Sequence, residues 1–233
     1  MAFERRFVRT LPFGTCVGIA LPDGPNQPDR DGGADSFALP AGLHPDEAAF
    51  ARTLPPVRRA GWVGGRVALR AALQAIGVEV AGPLLATPRG APLVPAGAVG
   101  SVSHKSDLAV ALAARAATPP QATLGIDVEV VRPFKHDIAR HVLTTGERAA
   151  LPPEGPARDR EVLRLFSAKE AIYKALDPWV GRFVSFQEAA IARAPGGLRA
   201  TVALAQGEGP FDVELHDASG DGLLLLAARA TRR

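Results

Sequence analysis

The segment Gly125-Ile126-Asp127-Val128-Glu129 sets two acids two residues apart in an apolar run. In an extended strand, residues two apart share a face. Ile126, Val128 and Val130 then point to the core, and Asp127 and Glu129 point out together. Two adjacent carboxylates repel unless a cation lies between them, and a hard cation such as Mg²⁺ takes oxygen ligands of this kind. The alternative is a solvated strand face carrying two acids. A second set follows in Phe166-Ser167-Ala168-Lys169-Glu170-Ala171-Ile172-Tyr173-Lys174. Glu170 and Lys174 are four apart and share one face of a helix. They are either a third metal oxygen with a phosphate-binding ammonium, or a surface ion pair. The third set, Ser101-Val102-Ser103-His104, ends a strand just before a turn. That place suits a ligand-facing imidazole, and equally an ordinary surface histidine. No G-x-S-x-G elbow and no Cys/His metal spacing occurs.

The elements that must carry these sets are legible in outline. Val17, Ile19 and Leu21 alternate with small residues and read as a strand. The stretch from Pro22 to Pro40 is rich in Pro, Asp and Gly and reads as a surface loop. His44-Pro45-Asp46-Glu47 starts a helix, with Pro at its first position and acids in its first turn. A longer helix is predicted over Pro56 to Ile76, stopped by Gly77. Pro83 to Pro95 reads as loop or edge. Val99–Ser103, Leu108–Ala114 and Leu124–Val131 read as three adjacent strands with tight turns, although the Ala-rich middle run is also compatible with helix. Asp137 to Leu143 is predicted as a short helix. Thr144 and Glu147 have capping-box spacing for a further turn to Leu151. A strong helix follows from Arg158 to Leu176, stopped at Asp177-Pro178. From Phe183 to Thr231 apolar runs alternate with Gly-containing turns, a strand-rich tail. Each half thus carries helix and strand, with a break near Pro119 and no clear internal repeat.

Composition sets the outer limits. The 233 residues are enough for one large domain or two packed subdomains, and 47% hydrophobic with 22% charged is a globular balance. The formal net charge is +3, and the basic residues are mostly Arg, with lysine only at 105, 135, 169 and 174. That bias reflects either a GC-rich coding genome or phosphate binding, to which the Arg fork is suited. The single cysteine, Cys16, cannot form an internal disulfide, which fits a reducing, cytoplasmic setting. Arg5, Arg6 and Arg9 precede the apolar stretch from Leu11 to Leu21. Glu4 among them, Pro12, and the lack of an A-x-A site argue against a signal peptide. No run of about 18 apolar residues is long enough to span a membrane.

The order S-x-S-H, then G-I-D-V-E, then F-S-x-K-E-A-x-x-K resembles the 4′-phosphopantetheinyl transferase superfamily. It is most similar to the large, pseudo-dimeric branch of the enterobactin-synthase-associated and surfactin-synthetase-activating type. Weaker likeness extends to Leu11-Pro12-Phe13-Gly14, the Arg58-Arg59 to Arg66 helix and Arg89-Gly90-Ala91-Pro92. The resemblance implies an α+β fold of two similar α/β subdomains, residues 1–120 and 121–233, in one intramolecular pseudo-dimer. Coenzyme A would bind in the cleft between them. It places the ligands of Mg²⁺, with Mn²⁺ as an alternative, on Asp127, Glu129 and Glu170. It sets His104 and Ser103 near the phosphates, Lys174 as a phosphate lysine, and Arg58 and Arg66 at the 3′-phosphate. Those two arginines are eight apart, slightly over two turns, so they point roughly the same way. Solvated helix arginines are the other reading of the pair. Relatives often carry Lys or Glu where Ala91 stands, so a basic contact is missing there and Arg89 is its candidate replacement.

The implied reaction moves phosphopantetheine from coenzyme A to a serine of an acyl, peptidyl or aryl carrier protein and releases 3′,5′-ADP. The nucleophile then belongs to the partner, which accounts for the missing nucleophile set here. The base is Glu147, or Glu147 is only a helix cap, in which case Glu170 or a metal-bound water is the base. The resemblance further implies a monomer serving polyketide, peptide or siderophore synthesis, without nucleic acid or stable membrane association. Two rivals use the same acids differently: a Mg²⁺-dependent nuclease or phosphodiesterase, and a non-catalytic module that binds coenzyme A or a carrier.

Overall fold

The structure is a computed structural model that describes residues 3–22, 38–118, 120–131, 138–220 and 222–233. Most of the predicted loop between Pro22 and Pro40, and Pro119 itself, lie outside the described residues. The chain divides into two compact units, Met1–Ala117 and Thr118–Arg233.

The first unit contains β1 (Arg5–Leu11), β2 (Gly14–Ala20), α1 (Pro45–Thr53), α2 (Pro56–Ala75), β3 (Ala98–Lys105) and β4 (Leu108–Arg115). Its antiparallel sheet has the order β1-β2-β4-β3. The Ala-rich run is therefore a strand, and its position explains its composition. β4 is flanked on both edges and buried almost throughout, so it carries small and apolar residues on both faces. Val17, Ile19, Ala111 and Ala113 from the sheet pack with Ala68, Leu69, Ala72 and Leu73 of α2. α1 begins as predicted, at a capping box in which His44 accepts from Asp46 N–H and Glu47 accepts from His44 N–H. The Glu47 carboxylate is fully buried; it also takes the Leu84 N–H at 2.6 Å and pairs with Arg70 of α2 at 2.8 Å.

The second unit contains β5 (Ala122–Val130), α3 (Ala139–Val142), α4 (Thr145–Ala149), α5 (Pro156–Val180), β6 (Ala189–Ala194), β7 (Gly197–Val202), β8 (Phe211–Asp217) and β9 (Leu223–Arg232). Its sheet order is β5-β9-β8-β7-β6. The expectation of three adjacent strands is corrected here. β3 and β4 form a hairpin, but β2 occupies the other edge of β4, so β5 pairs instead with β9 at the far end of the chain. The predicted helix over Asp137 to Leu143 shrinks to α3; Asp137 lies outside the described residues. α5 also runs past its predicted stop. Pro178 sits in the last turn, and the helix closes at Gly181, whose left-handed backbone (φ 65°) lets its N–H return to Asp177 O. Among the described residues no helix is long and apolar enough to cross a membrane.

The units share a topological plan. In each, an early strand (β2 or β5) leads into helices, and the last strand (β4 or β9) returns beside it, flanked by the strand before (β3 or β8).

Candidate active site

Ser167, Glu170, Ala171 and Lys174 recur at three- and four-residue spacing, so one face of α5 carries them all. That face lies on β5. Thr123 Oγ1 donates to Ala175 O at 2.5 Å, and Ser167 Oγ donates to Asp127 Oδ2 at 2.8 Å. Between these contacts a Cβ on Gly125 would come within 1.8 Å of Ala171 O, so only a glycine lets helix and strand backbones approach this closely. The consequence overturns one sequence expectation. Asp127 and Glu129 do share a face, but they do not point out to solvent. α5 covers that face, and both residues are buried, 5% and 6% exposed.

Burying carboxylates requires partners. Lys174 Nζ donates to Asp127 Oδ1 at 2.8 Å and to Ile126 O at 3.0 Å. Burial raises the Glu170 carboxyl above its ordinary range; Lys174 pulls it back, while Asp127 and Glu129 push it further up. Three carboxylates and one ammonium leave an excess of negative charge. The donors are hard oxygens, so the residues fit Mg²⁺ in chemistry and charge. Among the described residues no three acidic, His or Cys side chains already stand in a metal-binding group.

Glu147, which the sequence leaves as either a base or a helix cap, stands on α4. It caps α4 through Thr144, taking the Thr144 N–H at 2.6 Å. It also accepts the Ile191 N–H at 2.7 Å and pairs with Lys169 at 2.8 Å, both members of the pair nearly sealed from solvent. Lys169 Nζ donates further to Val142 O and Phe186 O. Two backbone donors and a buried ammonium therefore hold this carboxylate in place. Its partners make it a structural anchor.

The first unit carries the remaining cations expected from the sequence. Arg58 is exposed on α2. Arg66 is 2% exposed, with its guanidinium 4.4 Å from the Trp62 ring, and Trp62 stacks on Phe50. Its Nη2 donates to Leu85 O at 3.4 Å, and its Nε is buried with no protein partner. Burial pulls this arginine down to about 10, and Glu47 opposes the shift. An under-bonded buried guanidinium is suited to receive an anion. His104 is exposed on β3, where its ring lies against Gly61 of α2. Ser103 is buried and, as its neighbour in a strand, faces away from His104. Arg89 is exposed at a turn closed by Thr87 N–H to Ala91 O. Arg59, next to Arg58, has its guanidinium on the carbonyls of Ala51 and Leu54 and serves the fold.

Sequence reasoning missed Ser167, Gly125, Trp62 and Gly61. Ser167 shares a helix face with Glu170 and Lys174, and a glycine inside a strand already signals close backbone approach; both were available signals. Nothing local marked Trp62 or Gly61.

Residues 46–114 match the family described as the 4′-phosphopantetheinyl transferase N-terminal domain, and residues 123–225 match the 4′-phosphopantetheinyl transferase superfamily. The chain is 40% identical over 156 residues to the 4′-phosphopantetheinyl transferase Svp of Streptomyces mobaraensis, covering 66% of this chain and 62% of that protein, less than two thirds of its length. It is 32% identical over 160 residues to PptT of Mycobacterium tuberculosis, covering 68% and 69%. A holo-(acyl-carrier-protein) synthase from Bacillus anthracis in complex with CoA (3′,5′-ADP) aligns with 47% of this chain and 96% of its own, at 20% identity and a TM-score of 0.40.

Proposed function

Since the chain belongs to the 4′-phosphopantetheinyl transferase superfamily, we propose that it transfers phosphopantetheine from coenzyme A to a serine of an acyl or peptidyl carrier protein. The observation that carries this reading is the set on β5 and α5: Asp127 bonded to Ser167 and Lys174, with Glu129 and Glu170 adding negative charge to the same set. The reading includes a pseudo-dimer in which both halves hold coenzyme A, and a monomeric, cytoplasmic enzyme.

In the proposed reaction the serine oxygen attacks the β-phosphorus in line. The bond from that phosphorus to the bridging oxygen breaks, and 3′,5′-ADP leaves with the electron pair. Asp127, Glu129 and Glu170 would hold Mg²⁺, which when bound neutralises and orients the pyrophosphate. Lys174, through its ammonium, offsets the charge that develops on the 5′-phosphate of the departing 3′,5′-ADP. His104 and Arg89 contact the phosphates, and Arg58 with Arg66 takes the 3′-phosphate, which supplies the partner that Arg66 Nε lacks. Glu170 is the candidate to take the serine proton, because Glu147 is held by its cap and by Lys169.

The test is intact-protein mass spectrometry of an apo carrier incubated with the protein, coenzyme A and Mg²⁺. A mass gain of one phosphopantetheine, lost with EDTA, is the expected result. No gain across carriers from polyketide, peptide and siderophore pathways would overturn the proposal.

A further inference from the structure

Helix α2 carries three glycines within two turns, at 61, 64 and 65. Glycine weakens a helix relative to alanine, so each position needs a reason of space. Their surroundings differ. A Cβ on Gly64 would meet Leu21 Cδ2 at 2.1 Å and Ala109 Cβ at 3.0 Å, so this glycine lets α2 settle on the sheet. A Cβ on Gly65 would stand 3.7 Å from Val102, an ordinary contact that alanine could fill. A Cβ on Gly61 would strike the His104 ring, at 2.6 Å from Nδ1, 2.7 Å from Cε1 and 2.9 Å from Cγ.

We propose that Gly61 is the positioning residue for His104: the bare helix backbone is the floor on which the imidazole lies, and a side chain there turns the ring away from the coenzyme A phosphates. The proposal rests on the reading of His104 as a phosphate ligand. The mesh of α2 with β3 fixes the geometry. Leu69, Gly65 and Gly61 lie against Gly100, Val102 and His104 in turn. Four helix residues advance about 6 Å and two strand residues about 6.6 Å, so the two ladders stay in step and the backbone of residue 104 is held opposite residue 61. The backbone cannot yield there, and the ring must. Arg58 lies one turn before Gly61 on the same helical face, so the floor sits beside an exposed guanidinium.

The experiment titrates coenzyme A with Mg²⁺ into the full chain by calorimetry. It compares the parent with Gly61→Ala, Gly65→Ala, His104→Ala and the Gly61→Ala/His104→Ala double variant, and adds melting curves and imidazole NMR. Gly61→Ala should melt no lower than the parent, move the His104 resonances, and bind coenzyme A on the order of tenfold more weakly, the loss of one charge-assisted hydrogen bond. Gly65→Ala should melt higher and bind as the parent does. The double variant should bind no more weakly than His104→Ala. Parent-like binding by Gly61→Ala while His104→Ala is weakened overturns the proposal. So do additive losses in the double variant, or a fall in melting temperature with His104 unmoved. Parent-like binding by His104→Ala overturns instead the underlying assignment of His104.

Discussion

Each unit lays its long helix antiparallel along an edge strand with the same mesh, but the two meshes end in opposite chemistry. In the first, residues 69, 65 and 61 of α2 meet 100, 102 and 104 of β3; in the second, residues 175, 171 and 167 of α5 meet 123, 125 and 127 of β5. One mesh ends at an imidazole lying on Gly61. The other ends at a carboxylate with two more acids and Lys174. One architecture thus carries different side chains at the same place in the two units. A second correspondence is closer still. Glu47 and Glu147 each close a capping box, accept one remote backbone N–H, and pair with a cation of the long helix, Arg70 or Lys169. The same device thus also appears in the unit without the carboxylate set.

The sharpest break of that difference is Asp127→Asn. It keeps an acceptor for Ser167 but removes a charge from the carboxylate set. Transfer, followed by release of 3′,5′-ADP, should fall on the order of a thousandfold, the equivalent of several kcal/mol of transition-state stabilisation, with the melting curve largely retained. Undiminished turnover would detach the acids from the chemistry.

The anchor comparison is tested by Lys169→Met against Arg70→Met. Lys169 is buried, and removing it strands Glu147, at a cost of about 3–5 kcal/mol in urea unfolding. Arg70 is 19% exposed, so its loss should cost less. Equal costs would break the argument from burial. Glu147→Gln should likewise lower stability and leave kcat nearly unchanged in the folded fraction; a large fall in kcat at unchanged stability would restore it as the base.

Lys174→Ala should weaken coenzyme A binding by about tenfold in calorimetry, since it removes one charged donor. The smallest effect concerns Glu188, which accepts from Arg182 and from two backbone N–H groups and is held down to about 2. A depressed carboxyl contributes stability that is present above its unfolded range and lost as pH falls through the folded value. Glu188→Gln should therefore flatten the acid limb of the stability profile between roughly pH 4.5 and 2, and leave neutral-pH transfer alone.

What the sequence determined by itself was local. Helix starts at Pro45, Pro56 and Thr145 follow from caps and proline, which act within one turn. The pairing of Asp127 with Glu129, and of Glu170 with Lys174, follows from strand and helix periods. Tertiary structure alone decided the rest. β5 pairs with β9 because β4 has no free edge, a fact about strands distant in the chain. Asp127 and Glu129 are buried because Gly125 admits α5, and periodicity tells which residues share a face without telling what covers it. The partners of Glu147 beyond its own cap, Ile191 and Lys169, are set by the packing as well. Those partners come from separate elements, and only the packed chain brings them within reach.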